Sequence, residues 1–140
     1  MTPAETASFL DTRLGLGERR LLDEIYQFVQ FSGCGNVFLG WTERAMRVLI
    51  AHRLHKKRLA LVRNSEGAIQ AVVMWLRVRE GVDPAELQSW PDDVEDGGEI
   101  FIGSIQALTP EARRAVVMRF IQKEPDCLHL SLSALRTKKG

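Results

Sequence analysis

The hydrophobic pattern of the chain centres on two strand-like runs joined by a short polar turn. RLALVRN (58–64) and AIQAVVMWLRV (68–78) are rich in apolar and β-branched residues, and the turn NSEG (64–67) lies between and overlaps the first. Asn and Gly in a short turn between two such runs are typical of an antiparallel hairpin. The pattern therefore predicts a hairpin near the middle of the chain.

Helical spacing dominates the segment before the hairpin. Thr2 followed by Pro3 predicts a first short helix, and the apolar spacing from Leu21 to Val29 predicts a second one. A third helix is expected after Thr42, which has the residue type and position of an N-cap. Its inward residues are predicted to be Met46, Leu49, Ile50 and Leu54.

The segment after the hairpin begins with an acidic stretch, residues 80–99, which contains no lysine or arginine. It predicts a long loop, followed by a third strand from Glu99. Thr109 and Pro110 then predict a cap and first turn for the helix Ala112 to Lys123, and alternation from Cys127 predicts a final strand. This order predicts an α+β fold: a mixed, mostly antiparallel central sheet flanked by helices.

Composition fits one globular domain. The chain has 140 residues, 45% of them hydrophobic, and a formal net charge of +1, so it is large enough to bury a single core. Its two cysteines, Cys34 and Cys127, form no CxxC pair, which favours a reduced, cytoplasmic protein. The sequence suggests no signal peptide and no membrane span. We expect one domain, with N-terminal helices in 1–31 and the core in 32–140.

Basic residues are concentrated on the third predicted helix and its end. This concentration predicts a surface for an acidic partner, with binding that weakens as salt rises. The alternative is structural, because cations at a helix C-terminus also complement the helix dipole or pair with the acidic loop. No Phe, Tyr or Trp lies between Arg44 and Arg58, so nucleic acid is not the expected partner. The predicted partner-binding residues are Arg44, Arg47, Arg53, Lys56 and Lys57.

Histidines and cysteines supply the remaining candidate chemistry. His52 and His55 are neighbours on a helix, and Cys127 and His129 lie two residues apart, but neither pair completes a metal site, so no metal is expected. His129 is a candidate general base. Pro110 and Glu111 disfavour phosphate binding at the helix start, although Arg113 and Arg114 are candidate cofactor-binding residues there.

The order of elements is similar to that of the Gcn5-related N-acetyltransferase (GNAT) superfamily. The chain resembles more closely the toxin-activating lysine acyltransferases, which acylate RTX toxins with acyl carrier protein as donor. The resemblance covers about Phe31 to Gly140. It rests on Trp41 opening a helix, RLALVRN, GAIQAVVMWLRV, LQSW, the Gly98-Glu99 step into IFIGSIQAL, and Lys123-Glu124-Pro125-Asp126 before the last strand.

The resemblance implies an acyltransferase that moves an acyl group from acyl carrier protein or acyl-CoA to a lysine or amine, without a tightly bound cofactor. The family's histidine and aspartate fall on Phe38 and Gly103 here, and neither moves a proton. Substitute catalytic candidates are His129, His52 and Cys34, the last as an acyl-accepting thiolate. The alternative is a binding or assembly module that has lost catalysis. A chain that ends soon after its last strand also predicts a homodimer.

Overall fold

Seven main elements follow one another in the computed structural model, which describes residues 16–32, 40–79, 81, 97–128 and 131–134. They confirm the predicted α+β class. In chain order they are α1 (Leu16–Phe31), α2 (Glu43–His55), β1 (Leu59–Arg63), β2 (Ile69–Val78), β3 (Glu99–Ala107), α3 (Pro110–Lys123) and β4 (Ser131–Ala134), with a short 3-10 helix (Pro125–Leu128) before β4.

The chain divides into two compact units, Met1–Arg58 and Leu59–Gly140. The first unit contains α1 and α2, which pack against each other, and the second contains the sheet and α3. The boundary falls at the start of β1, whereas the sequence predicted one domain whose core begins at residue 32. The prediction of a single domain remains a prediction.

The β1–β2 hairpin forms as predicted, and the side chain of Asn64 explains why. Its Oδ1 accepts hydrogen bonds from the backbone N–H groups of Glu66 and Ala68, at 3.0 and 2.9 Å. Gly67 completes the turn with φ of +84°, a conformation that glycine adopts without steric cost. The turn therefore depends on the side-chain oxygen of one residue and the conformational freedom of another.

The sheet has the strand order β1-β2-β3-β4. Antiparallel pairs join β1 to β2 and β2 to β3, and β4 pairs with β3 in parallel, as the prediction of a mixed, mostly antiparallel sheet required. Trp75 lies opposite Ile102 and Met74 opposite Ser104, so Gly103 is an extra residue, a β-bulge in β3. β4 is the last strand of the described sheet. The predicted homodimer, through this edge or through apolar helix faces, remains a prediction.

The core of the second unit lies between one face of the sheet and α3. Trp75, which is fully buried, stands on that face, and Phe120 of α3 meets its ring edge-on at a centroid distance of 4.9 Å. Burying two aromatic side chains in this arrangement stabilises the unit through lost apolar surface and favourable ring geometry. The other buried members of this cluster are Ala60, Ala71, Val73, Ile100, Ala112 and Val116.

Both predicted N-caps are present. The hydroxyl of Thr42 accepts a hydrogen bond from the N–H of Ala45 at 3.1 Å, and that of Thr109 accepts one from Ala112 at 3.0 Å. Each bond satisfies an amide that the first helical turn would otherwise leave without a partner. Pro110 occupies the first turn of α3, as predicted.

The predicted start of the last strand was wrong. Cys127 lies in the short 3-10 helix, and β4 begins only at Ser131. Pro125 fixes its own φ near the helical value and so favours a tight turn after α3, which delays the extended conformation. The first predicted helix around Thr2, the acidic stretch up to Asp96 apart from Gly81, and the tail from Arg136 lie outside the described residues.

Gly97 leads into β3 where two backbone segments approach closely. A Cβ placed on it would lie 2.7 Å from the carbonyl carbon of Val78, inside van der Waals contact with backbone that cannot rotate away. The Gly97 carbonyl oxygen also accepts a hydrogen bond from Arg77 Nε at 3.1 Å. A glycine here lets the chain cross the end of β2 closely enough for this bond.

We expect Gly97→Ala to lower the free energy of unfolding by about 2 kcal/mol, because the backbone must shift to relieve the overlap. Gly103→Ala is the matched control in the same sheet, since a Cβ there meets only the carbonyl oxygen of Met74, at 3.8 Å. Urea denaturation followed by circular dichroism measures both variants. Equal losses of stability would contradict the close-approach explanation.

Candidate functional site

The candidate site in the sheet unit is the stretch of β3 around its bulge. Gly103 is the position that the resemblance assigns to a catalytic aspartate, and it is the unopposed residue of the bulge. Its backbone does not require glycine, since its φ lies outside the left-handed region and a Cβ would make only one ordinary contact. The backbone would therefore accept an aspartate at this position, and the carboxylate is absent only because the sequence has glycine there.

Two buried polar side chains follow the bulge, and neither is among the site residues predicted from the sequence. Ser104 and Gln106 are 5% and 2% exposed, and they lie on one face of β3, opposite Met74 and Val72 of β2. Ser104 Oγ and Gln106 Oε1 make no hydrogen bond within the described part of the chain, which costs free energy at such burial. The available sequence signal was polar residues at alternate positions of an otherwise apolar strand.

A buried polar network lies on the opposite side of β2, toward α3. The indole Nε1–H of Trp75 donates to Glu124 Oε1 at 3.0 Å, and Arg77 lies 3.6 Å from the other carboxylate oxygen. Glu124 caps the C-terminal end of α3 and is itself buried. Trp75 and Glu124 lie in segments that carry the family resemblance, and their contact joins the central strand to the helix that packs on it.

The predicted catalytic residues are not brought together among the described residues. Cys34 and His129 lie outside the described residues, as does Phe38. His52 lies on α2, where its Nδ1 is 2.7 Å from an Arg53 guanidinium nitrogen. A guanidinium only donates, so Nδ1 is the acceptor in this contact. The contact engages one ring nitrogen of His52 with its neighbour on the same helix.

Arg113 and Arg114 lie in the first turns of α3 and are both exposed. Arg114 forms an ion pair with Glu111 at 3.6 Å, between two largely exposed side chains, so this pair contributes little to stability. Pro110 removes one amide from the helix start, as the sequence predicted. The assignment of the two arginines to a cofactor remains a prediction.

Some of the predicted partner-binding cations have partners or are buried within the first unit, and others are exposed. Arg47 forms ion pairs with Asp23 of α1 and with Glu43, and its guanidinium stacks 4.5 Å above the Tyr26 ring. Burial lowers the pKa of Arg47, but the hydrogen bond and charge of Asp23, followed by Glu43, raise it overall. Arg47 thus connects α1 to α2 within the first unit.

Arg53 corrects the sequence prediction most clearly. It was expected to be exposed and is 7% exposed. Met46, Leu49, Ile50 and Arg53 follow the i, i+3, i+4, i+7 spacing of a single helix face, so Arg53 continues the buried stripe. The spacing is visible in the sequence, but the positive charge of Arg53 predicts an exposed side chain. Arg44, Lys56 and Lys57 are exposed, as predicted.

The end of α2 has a specific backbone conformation. Lys57 has φ of +59°, the Arg58 N–H donates to the Arg53 carbonyl at 2.7 Å, and the Lys57 N–H donates to the Leu54 carbonyl at 3.2 Å. These two bonds and one left-handed residue define a Schellman motif, in which glycine usually occupies the left-handed position. We name residues 55–57 the α2 exit turn.

No protein-family model, curated protein or solved structure matches this chain significantly. The family resemblance therefore remains an expectation from the sequence. Within the residues that the structure describes, no helix has both the length and the hydrophobicity to cross a membrane. The expected cytoplasmic location stays a prediction.

We expect Glu124→Leu to lower the free energy of unfolding by about 3 kcal/mol, because it removes the acceptor of a buried indole N–H and the carboxylate beside Arg77. Glu124→Gln retains an acceptor oxygen and should cost only about 1 kcal/mol. Chemical denaturation monitored by Trp fluorescence and circular dichroism compares the two. If the glutamine variant were as unstable as the leucine variant, the indole hydrogen bond would not be the main contribution.

Proposed function

We propose that this protein is an acyltransferase-family protein, which transfers an acyl group from acyl carrier protein or acyl-CoA to a lysine or another amine. The observation that carries the proposal is the arrangement of β3 and its neighbouring strands. It follows an antiparallel hairpin, contains a bulge at Gly103, and is joined through α3 to a parallel neighbour, β4. This order is that of the family the sequence resembles, and bulges are frequent beside active sites.

In the proposed reaction an acyl group passes from a thioester to an amine, which forms an amide and releases a thiol. The amine nitrogen attacks the carbonyl carbon, the C–N bond forms as the C–S bond breaks, and the proton lost by the amine balances the departing thiolate. A base near the amine accelerates the step. Gly103 offers no side chain, so the candidate bases from the sequence are His129 and His52, and Nδ1 of His52 contacts Arg53. Cys34 is the candidate for an acyl-accepting thiolate.

The alternative function is a binding or assembly module with the same fold. Gly103 favours it, because the backbone would accept a side chain there and the sequence provides none. Such a module would bind the donor or the acceptor without joining them. Binding without turnover therefore distinguishes the two proposals.

The direct test incubates the purified protein with acyl-CoA or with acylated carrier protein and a lysine-containing peptide. We expect an acyl adduct on the peptide, detected by mass spectrometry and absent with heat-denatured protein. His129→Ala and Cys34→Ala should each be measured, since loss of transfer in the first identifies the base and loss in the second identifies an acyl-accepting thiol. No adduct above the denatured control would reject the acyltransferase proposal.

A second test restores the two family residues. We expect the double variant Phe38→His, Gly103→Asp to raise the rate of transfer roughly 10²–10⁴-fold, the usual contribution of a positioned acid or base. Space for the aspartate exists, because a Cβ at position 103 has only the Met74 carbonyl oxygen within 4 Å. Phe38→His, Gly103→Asn is the control of equal shape. Similar rates in both double variants would show that the carboxylate has no catalytic role there.

A further inference from the structure

Two side chains of β3 bury oxygen atoms that make no hydrogen bond to any described residue. Ser104 Oγ and Gln106 Oε1 are both buried in this way, and the two residues are only 5% and 2% exposed. An exposed side chain without a protein partner bonds to solvent, but a buried oxygen loses the hydrogen bonds that it makes to water in the unfolded chain. The pair therefore requires a hydrogen-bonding group that β2 and β3 do not supply.

The side chains beside this pair on the sheet are neutral. Met74 lies opposite Ser104 and Val72 lies opposite Gln106, and both are almost fully buried. Phe101, also buried, precedes Ser104 on the same face, because the extra residue of the bulge restores the alternation between them. An ion held here would lose its hydration and meet no opposite charge among these neighbours. The group that fits the pair is therefore neutral.

The two oxygens define what the neutral group must offer. The amide oxygen of Gln106 only accepts hydrogen bonds, whereas the hydroxyl of Ser104 both donates and accepts. Residues two apart on a strand have Cα atoms roughly 6.5–7 Å apart, a span that one small molecule bridges with a hydrogen bond of about 2.8 Å at each end. Water meets these conditions, because it is small and uncharged and donates two hydrogen bonds.

The bulge provides space and access next to the pair. Gly103, which precedes Ser104, is only partly buried. A Cβ placed on it would have one atom within 4 Å apart from its chain neighbours, the carbonyl oxygen of Met74. The hydrogen-bond ladder is also interrupted here, since Gly103 has no partner residue on β2. A buried site holds water when it is polar and has room, and β3 combines the two at this point.

We propose that Ser104 and Gln106 form a binding site for one internal water molecule. The water donates a hydrogen bond to Gln106 Oε1 and forms a second one with Ser104 Oγ. The inference goes beyond the proposed function, because the site needs neither an acyl donor nor an acceptor. It accounts for two polar side chains on an otherwise apolar face of the sheet, since one molecule gives both oxygens a partner.

The first test locates the water in the full chain by high-resolution crystallography. We expect an ordered water molecule about 2.7–3.2 Å from both Ser104 Oγ and Gln106 Oε1. In solution, the same water should give nuclear Overhauser effects to the amide protons of these two residues. A site without a water shared by the two oxygens would overturn the proposal, whether it is dry or a group of the chain bonds to either oxygen.

A second test uses stability to separate a bridging water from an unpaired couple of oxygens. Removing one oxygen takes a partner from the water and weakens its bond to the other. We expect Gln106→Met and Ser104→Ala each to lower the melting temperature by about 3–6 °C. The double variant should lose less than the sum of the two single variants, because both polar groups then leave together.

Gln70→Met on β2 is the matched control for the glutamine variant. Gln70 is partly buried, and its side-chain amide donates to the adjacent carbonyls of Ala68 and Ile69. We expect it to change the melting temperature by less than about 2 °C. If Gln106→Met raised the melting temperature, the oxygen would have had no partner in the native protein and the proposal would be rejected. A loss no larger than that of Gln70→Met would reject it as well.

Discussion

The buried indole of Trp75 imposes the constraint on which much of the sheet unit depends. A fully buried Trp contributes a large apolar surface but leaves an N–H that must find an acceptor away from water. Glu124 supplies that acceptor from the end of α3, and Phe120 of the same helix packs against the ring. The position of α3 on the sheet is thus set by one hydrogen bond as well as by apolar contact.

Burying the carboxylate of Glu124 is itself costly, and the nearby positive charge of Arg77 offsets part of that cost. Arg77 lies near Glu124 and donates to the carbonyl of Gly97. A single arginine on β2 therefore connects the end of α3 with the residue that leads into β3. The close approach at Gly97 and the capping of α3 belong to one polar arrangement, in which each charged group has a partner.

Local chemistry explains which parts of the fold could be predicted from the sequence. The hairpin around Asn64, the caps Thr42 and Thr109, and the start of β3 at Glu99 each depend on residues within one turn or one strand. The start of β4 failed because Pro125 favours another turn after the helix, which alternation alone does not reveal. The environment of a side chain was harder to predict from the sequence, because Arg47, for example, takes an ion-pair partner from another helix.

The candidate site likewise has features that the sequence shows and features that depend on strand pairing and packing. Gly103 could be located from the resemblance, but its place in a bulge depends on strand register, which requires the paired strand. Ser104 and Gln106 appeared to be ordinary strand residues, and only packing reveals that Ser104 Oγ and Gln106 Oε1 are buried without a hydrogen bond among the described residues. Among the cations, the charge of Arg53 predicts exposure, whereas its helical spacing with Met46 and Ile50 agrees with the observed burial.

The parallel pairing of β4 has a consequence for the order of folding. β1 and β2 are joined by a loop of a few residues, and each further pair in the sheet closes a longer stretch of chain. β4 can join β3 only after the whole of α3 and the 3-10 helix have been spanned. Because loop closure costs more entropy as the loop grows, we expect the sheet to assemble from the hairpin outward. Its parallel strand would then be the last to form and the first to detach.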